Sequence, residues 1–181
     1  VKGLTDIPVA VITNGSLLSE PEVRAELSGA DAVMPTLDAG TEELFRRINR
    51  PRRSLTLKRQ LEGLRRFREE FMGALWIEVM LVAGINDTEA ALADLSEQLK
   101  KIEPDRIDLS HPERPPCEPW VEPTDREGQL RALAILGEAA RVLPPTPQDY
   151  DFSGSDVAEV LIGIIRRHPV PEEELRRHLP S

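Results

Sequence analysis

Leu75-Trp76-Ile77-Glu78-Val79-Met80-Leu81-Val82-Ala83-Gly84-Ile85-Asn86-Asp87-Thr88 is the stretch on which the fold class turns. The run Leu75–Ala83 is almost wholly apolar, and its length and β-branched residues suit a buried strand rather than a helix. Gly84-Ile85-Asn86-Asp87 is a turn. Thr88 then heads a helix in which Leu92, Leu95, Leu99 and Ile102 recur every three or four residues. Strand, short loop and amphipathic helix together make the βα unit from which parallel sheets are built.

The same unit repeats on both sides. Strand-like runs occur at Pro8–Thr13, Ala32–Leu37 and Arg106–Ser110. Their near-continuous apolarity predicts a parallel sheet covered on both faces. Between them, Ser19 and Glu22 read as a capping box for a helix presenting Val23 and Leu27, and Thr41 caps a short helix with Leu44, Phe45 and Ile48. Leu57, Leu61, Leu64, Phe67 and Phe71 form one stripe of a longer helix, and Thr124 with Glu127 heads a helix reaching about Val142. Alternating strands and helices imply parallel βα units with right-handed crossovers. Four such units cannot close an eight-stranded barrel, so the sheet is open or its remaining strands lie elsewhere.

Prolines set the boundaries. Pro112–Pro123 holds five of them and predicts an extended loop leaving the last strand. Pro144-Pro145-Thr146-Pro147 opens a linker over 144–152 after a sheet domain spanning 1–143. The tail, 153–181, reads as two helices, around Asp156–His168 and from Pro171 to about Leu179. It is either a helix-turn-helix remnant or a piece that packs on its neighbours.

Composition removes several function classes. The chain has 181 residues, 40% hydrophobic and 30% charged, but only 4% aromatic, so its core is aliphatic. No apolar stretch approaches the ~20 residues of a bilayer span. The single Cys117 excludes an internal disulfide framework and fits a reducing, cytoplasmic setting. One cysteine and three histidines (His111, His168, His178) also exclude a self-contained zinc or iron–sulfur site. With Val1 first and a strand close behind, the chain reads as the later part of something longer, with a bare sheet edge through which it would self-associate.

Charge is uneven. From Arg46 to Arg68 there are ten basic residues against the single acid Glu62, inside a chain of net charge −9. Such a segment is either a solvated helix face or a stripe facing phosphate, as in RNA.

Ligands of parallel α/β folds bind at the carboxyl ends of the strands. Those loops read Thr13-Asn14-Gly15-Ser16, Thr36-Leu37-Asp38-Ala39-Gly40, Val82-Ala83-Gly84-Ile85-Asn86-Asp87 and Ser110-His111-Pro112-Glu113-Arg114. Taken singly, each is consistent with turn chemistry; Asn86-Asp87, for example, can be read as the approach to the Thr88 cap. Taken in order, with Phe45-Arg46-Arg47-Ile48-Asn49-Arg50-Pro51, Arg114-Pro115-Pro116 and Glu118-Pro119-Trp120, the set resembles the radical S-adenosylmethionine (radical SAM) enzymes. It is most similar to their stand-alone members of the wybutosine-synthesis-related type, over roughly Leu4 to Gly137.

That resemblance implies an α/β fold, the second half of a partial (βα)6 barrel. It implies a [4Fe–4S] cluster and S-adenosylmethionine, reductively cleaved to a 5′-deoxyadenosyl radical by the full-length parent. It places Thr13, Asn14 and Gly15 in the cofactor pocket and Thr36 and Asp38 near the methionine or ribose. Val82 and Asn86 fall near the adenine, His111 near adenine or substrate, and Arg114 on the substrate. The family's Cys-x-x-x-Cys-x-x-Cys loop and its Gly-Gly-Glu segment are absent, so no catalytic or metal-binding residue is assigned here and this chain alone is expected to be inactive.

Two other classes compete. A Schiff-base aldolase or metal-dependent hydrolase needs a lysine, or clustered histidines and carboxylates, at a strand end. Lys2, Lys58, Lys100 and Lys101 fall elsewhere, and His111 stands alone there. A non-catalytic α/β binding module using Arg46–Arg68 as an RNA-facing stripe is the second.

Overall fold

Five strands, all parallel, lie side by side in the order in which they occur in the chain. The computed structural model describes Lys2, residues 6–112, Pro116, residues 118–144, Ile162 and Arg166. The strands are β1 (Ala10–Thr13), β2 (Ala32–Pro35), β3 (Ala74–Met80), β4 (Arg106–Ser110) and β5 (Ala140–Val142). The helices are α1 (Pro21–Leu27), α2 (Glu42–Ile48), α3 (Leu57–Glu70), α4 (Glu89–Ile102) and α5 (Arg126–Leu136).

Sequential order with right-handed crossovers sends every connecting helix to one face of the sheet. The core follows from this. Val33, Leu75, Ile77, Val79, Ile107 and Leu109 point to that face and pack against Leu61, Leu64 and Phe67 of α3, Leu92, Leu95 and Leu99 of α4, and Ala132 of α5. Burial along β3 therefore alternates strictly, Leu75, Ile77 and Val79 inside, Trp76, Glu78 and Met80 half-buried on the face these helices do not cover. Against the expectation of a sheet covered on both faces, α1–α5 pack on one face only: the apolar run Leu75–Ala83 hides a two-sided strand, with Glu78 as the telltale.

The chain divides into two compact units, one of Val1–His111 with Pro123–Leu143 and another of Pro112–Glu122 with Pro144–Ser181. All five strands belong to the first. Arg114, Cys117 and the 144–152 linker beyond Pro144 fall outside the described residues, as does the tail apart from Ile162 and Arg166, both helical.

Three local expectations need correction. No side chain caps α1: its N-cap is Glu20, and the Ser19 hydroxyl instead donates to Glu20 and accepts from Arg59. Asp125, not Thr124, caps α5 by accepting the Gly128 N–H at 2.8 Å, while the Thr124 hydroxyl donates to the Asp87 carboxylate at 2.6 Å. And α5 stops at Leu136 instead of running to Val142, because Gly137 (φ +85°) breaks it and frees three residues to form β5. Thr41 and Thr88 cap α2 and α4 as expected.

The contact between α3 and the loop before α1 is close enough to exclude a methyl group. At Gly63 a Cβ would lie 2.5 Å from the Ser19 nitrogen and 2.7 Å from the Leu18 carbonyl carbon. Helix propensity alone would make Gly63→Ala stabilising by up to about 1 kcal/mol. We expect the opposite sign, a loss of roughly 1–3 kcal/mol as the backbones are forced apart, read from urea unfolding; a gain in stability would show that the two backbones can separate freely.

Candidate functional site

The carboxyl ends of β1 to β4 gather the polar groups of the molecule. β1 ends at Thr13, whose hydroxyl accepts the Gly15 N–H at 3.2 Å, and Asn14 Oδ1 accepts the Ser16 N–H at 3.0 Å. Gly15 takes φ +72°, a left-handed turn where a side chain is strained, and sits buried against Pro35. The turn is then tied to β2 from below: Gln60 of α3, 4% exposed, donates its amide to the carbonyls of Asn14 (3.2 Å) and Thr36 (2.9 Å).

Asp38 is the most constrained of these residues. Its carboxylate accepts the Met80 N–H at 2.8 Å on one oxygen and the Asn49 amide at 2.7 Å on the other. Its own carbonyl accepts from Asn86 at 2.9 Å. Asn86, 1% exposed, also donates to the Met80 carbonyl at 2.8 Å and accepts the Val82 N–H at 2.7 Å. Burial raises the Asp38 carboxyl to about 6, against the lowering pull of Met80 and Asn49, with the nearby Glu78 charge adding to the rise.

Glu78 occupies the face not covered by α1–α5. Its carboxylate accepts the Ser110 hydroxyl at 3.1 Å from β4 and, at a long 3.5 Å, the Thr36 hydroxyl at the end of β2. No Lys or Arg pairs with it among the described residues. Deeper along the same face, Asp108 is 1% exposed and takes an arginine on each oxygen, Arg106 at 2.8 Å and Arg141 at 2.7 Å. Arg106 also lies 3.6 Å over the Trp76 ring.

Of the residues singled out in the sequence, Thr13, Asn14, Gly15, Thr36, Asp38, Val82 and Asn86 all lie along the ends of β1 to β3, and Asp38 and Asn86 touch. His111 follows the last residue of β4, half-buried. The side chains of Asp38 and Asn86 are spent on holding loops and Val82 is buried; Asn14 is exposed, and Thr36, Glu78, Ser110 and His111 are half-buried. Glu78 and Gln60 were not singled out. Glu78 was legible as the one charge inside an apolar strand; Gln60 had no signal, being one polar residue among many on α3.

Four of the ten basic residues of Arg46–Arg68 are held in ion pairs, three of them with acids outside the segment. Arg46 pairs with Glu42 and Arg66 with Glu62, both at 2.8 Å, Arg68 with Asp105 at 2.9 Å, and Arg59 with Glu20. Arg52, Arg53 and Lys58 carry no ion pair among the described residues. Beside the β1 turn and α2 lies a cleft of about 470 Å³ whose lining includes Asn14, Ser16, Phe45, Arg52 and Ser54. Among the described residues no helix is long and apolar enough to cross a membrane, and no group of three His, Cys, Asp or Glu side chains is placed to hold a metal ion.

No family model matches the chain. It is 33% identical over 179 residues to a UPF0026 protein of Methanocaldococcus jannaschii, covering 96% of this chain and 56% of that protein. It is 44% identical over 109 residues to a protein of Brachyspira hyodysenteriae named GTPase Obg, covering 60% of this chain and 16% of that one. The chain thus spans about half the length, or less, of these relatives. Among solved structures, a domain of pyruvate-formate lyase-activating enzyme from Bacteroides vulgatus superposes with a TM-score of 0.61 at 20% identity, over 78% of this chain and 84% of that one. A radical SAM methyltransferase from Sphaerobacter thermophilus gives 0.59 at 22% identity, over 74% and 39%. The fold is α/β, with five parallel strands that resemble part of a radical SAM barrel.

Asp38 also makes stability depend on pH. Its folded pKa lies above its ordinary value of 3.8, so the protonated acid is favoured in the fold. That contribution is complete below about pH 4 and is lost as pH rises through about 6. In Asp38→Asn, which is neutral throughout, stability relative to wild type should rise by roughly 1–3 kcal/mol between those limits. Urea unfolding at both ends of the range checks this; parallel profiles for the two proteins would place the Asp38 carboxylate in contact with water.

Proposed function

We propose that this chain is the later half of a radical SAM barrel and that its strand edge binds S-adenosylmethionine. The observation that carries the reading is the position of Glu78, Thr36 and Ser110: three polar side chains from adjacent strands, at the carboxyl end, on the face that α1–α5 leave open. The likeness of the fold to radical SAM structures supports it.

The residues present do not fit an iron–sulfur cluster. Such clusters are held chiefly by thiolates, and the whole sequence has one cysteine, Cys117. Cluster ligands would have to come from outside these 181 residues, and no step is assigned to a cluster here.

The fit to S-adenosylmethionine is better. A half-buried carboxylate with no cation paired to it among the described residues suits a ribose hydroxyl pair or an ammonium group, and Thr36 and Ser110 hold it in place at two points. Asn14 and His111 stand at the rim of the same edge. Asp38, Asn86, Gly15 and Gln60 are positioning residues in this reading, because their polar groups or backbones shape the loops. When bound beside a reduced cluster, S-adenosylmethionine supplies hydrogen-abstracting radical chemistry. The wybutosine-synthesis-related assignment, the substrate role of Arg114 and an RNA substrate along Arg46–Arg68 belong to the same proposal.

Two outcomes follow. Anaerobic treatment of this chain with iron and sulfide should leave it colourless, without a reducible [4Fe–4S] signal and without release of 5′-deoxyadenosine; a stoichiometric cluster on the monomer would overturn the assignment of its ligands to residues elsewhere. Glu78→Gln should weaken S-adenosylmethionine binding, measured by equilibrium dialysis, by about tenfold or more, the scale of a hydrogen bond to a charged group. Unchanged binding would remove Glu78 from the site.

A further inference from the structure

The cleft of about 470 Å³ beside the β1 turn lies within the size range of small-molecule sites, about 300–1,000 Å³. Its lining has a consistent chemical sense: it includes arginines, serines and amides, and no acid. In a chain of net charge −9 such a lining is a locally basic patch, the kind of surface that attracts anions.

Several of those polar groups are already occupied. Arg59 is held by Glu20 and Ser19, Gln60 by the Asn14 and Thr36 carbonyls, and Asn49 by Asp38. Glu42, the nearest helix-capping acid, accepts the Leu57 N–H and pairs with Arg46. What remains is Arg52, exposed and without an ion pair, with the hydroxyls of Ser16 and Ser54 and the amide nitrogen of Asn14.

Arg52 is presented by a fastened loop. Leu55 N–H donates to the Arg52 carbonyl at 2.9 Å, closing a turn, and the Leu55 carbonyl accepts from Arg46 at 3.2 Å. Asn14 is equally fixed, because its Oδ1 accepts the Ser16 N–H. The backbone that carries these donors is therefore set before binding, and only the Arg52 side chain and the hydroxyls have to be ordered. Phe45, Leu17 and Leu55 supply the apolar part of the lining.

We propose that this cleft is an anion subsite that holds a phosphate monoester. Arg52 supplies the charge, Ser16, Ser54 and Asn14 donate to the phosphate oxygens, and the body of the ligand lies on Phe45 and Leu55. Asn14 is shared with the rim of the Glu78 edge, but Arg52 and Ser54 are not, so their contacts to phosphate stand whether or not S-adenosylmethionine binds there.

The test titrates the full 181-residue chain with adenosine monophosphate, adenosine and inorganic phosphate, following amide shifts and calorimetric affinity. Adenosine monophosphate should bind more tightly than adenosine, with the largest shifts at Ser16, Ser54 and Leu55. Arg52→Ala should weaken it about tenfold or more, the scale of a lost charge-assisted hydrogen bond. Arg53→Ala, which removes a neighbouring exposed charge that does not line the cleft, should leave it unchanged. Inorganic phosphate bound with the same dependence on Arg52 would assign the subsite to free phosphate. Equal binding of adenosine and its monophosphate, equal losses in the two arginine variants, or no binding by any of the three would overturn the proposal.

Discussion

Asp38 and Asn86 together fix the working end of the sheet. Through the Asp38 carboxylate, the loop after β2 is held to the Met80 N–H of β3 and to Asn49 at the end of α2. Through the Asn86 amide, the loop before α4 is held to both Asp38 and Met80. Asp38 and Asn86 are buried and Met80 half-buried, while Asn49 is exposed, so breaking a bond among the first three would leave a partner without water, at about 1–3 kcal/mol each. The loops that would face a ligand are consequently set by the protein before any ligand arrives, as a pre-organised site requires. A raised Asp38 pKa is the cost of that arrangement, since a carboxylate is being asked to do a staple's work out of water.

The sheet has two unlike faces, one apolar and one polar. On the helix side, aliphatic side chains from β2, β3 and β4 fill one continuous core with α3, α4 and α5. On the other, the strands carry Trp76, Glu78, Arg106, Asp108, Ser110 and Arg141. The buried Asp108 is satisfied by two arginines, and the charge there is balanced locally. Glu78 is not balanced in this way. A carboxylate half out of water, with hydroxyls for partners and no cation among the described residues, is the group on this face best able to accept something new.

The sequence made the sheet legible because the apolar runs and the helix stripes agree. Leu57, Leu61, Leu64, Phe67 and Phe71 lie where their spacing puts them, buried under the sheet, and all four strands read from the sequence pair in parallel. What escaped depends on tertiary partners. β5 is three residues long and carries no pattern of its own; only Gly137 hints that α5 ends before it. Ser19 and Thr124 look like helix caps in isolation, but Arg59 and Asp87, 40 and 37 residues away, claim their hydroxyls. Asp38 and Asn86 were legible as polar residues at strand ends, yet their mutual contact, 48 residues apart in sequence, was not.

The central claim is that the carboxyl ends of β1 to β4, on the open face, form the cofactor edge of a radical SAM barrel. Amide shift mapping of this chain with S-adenosylmethionine tests it most directly. The account predicts saturable shifts, of low affinity without a cluster, concentrated at Asn14, Gly15, Thr36, Glu78, Ser110 and His111, and reduced in Glu78→Gln. Shifts confined to α1–α5, or none up to the solubility limit of the ligand, would contradict it.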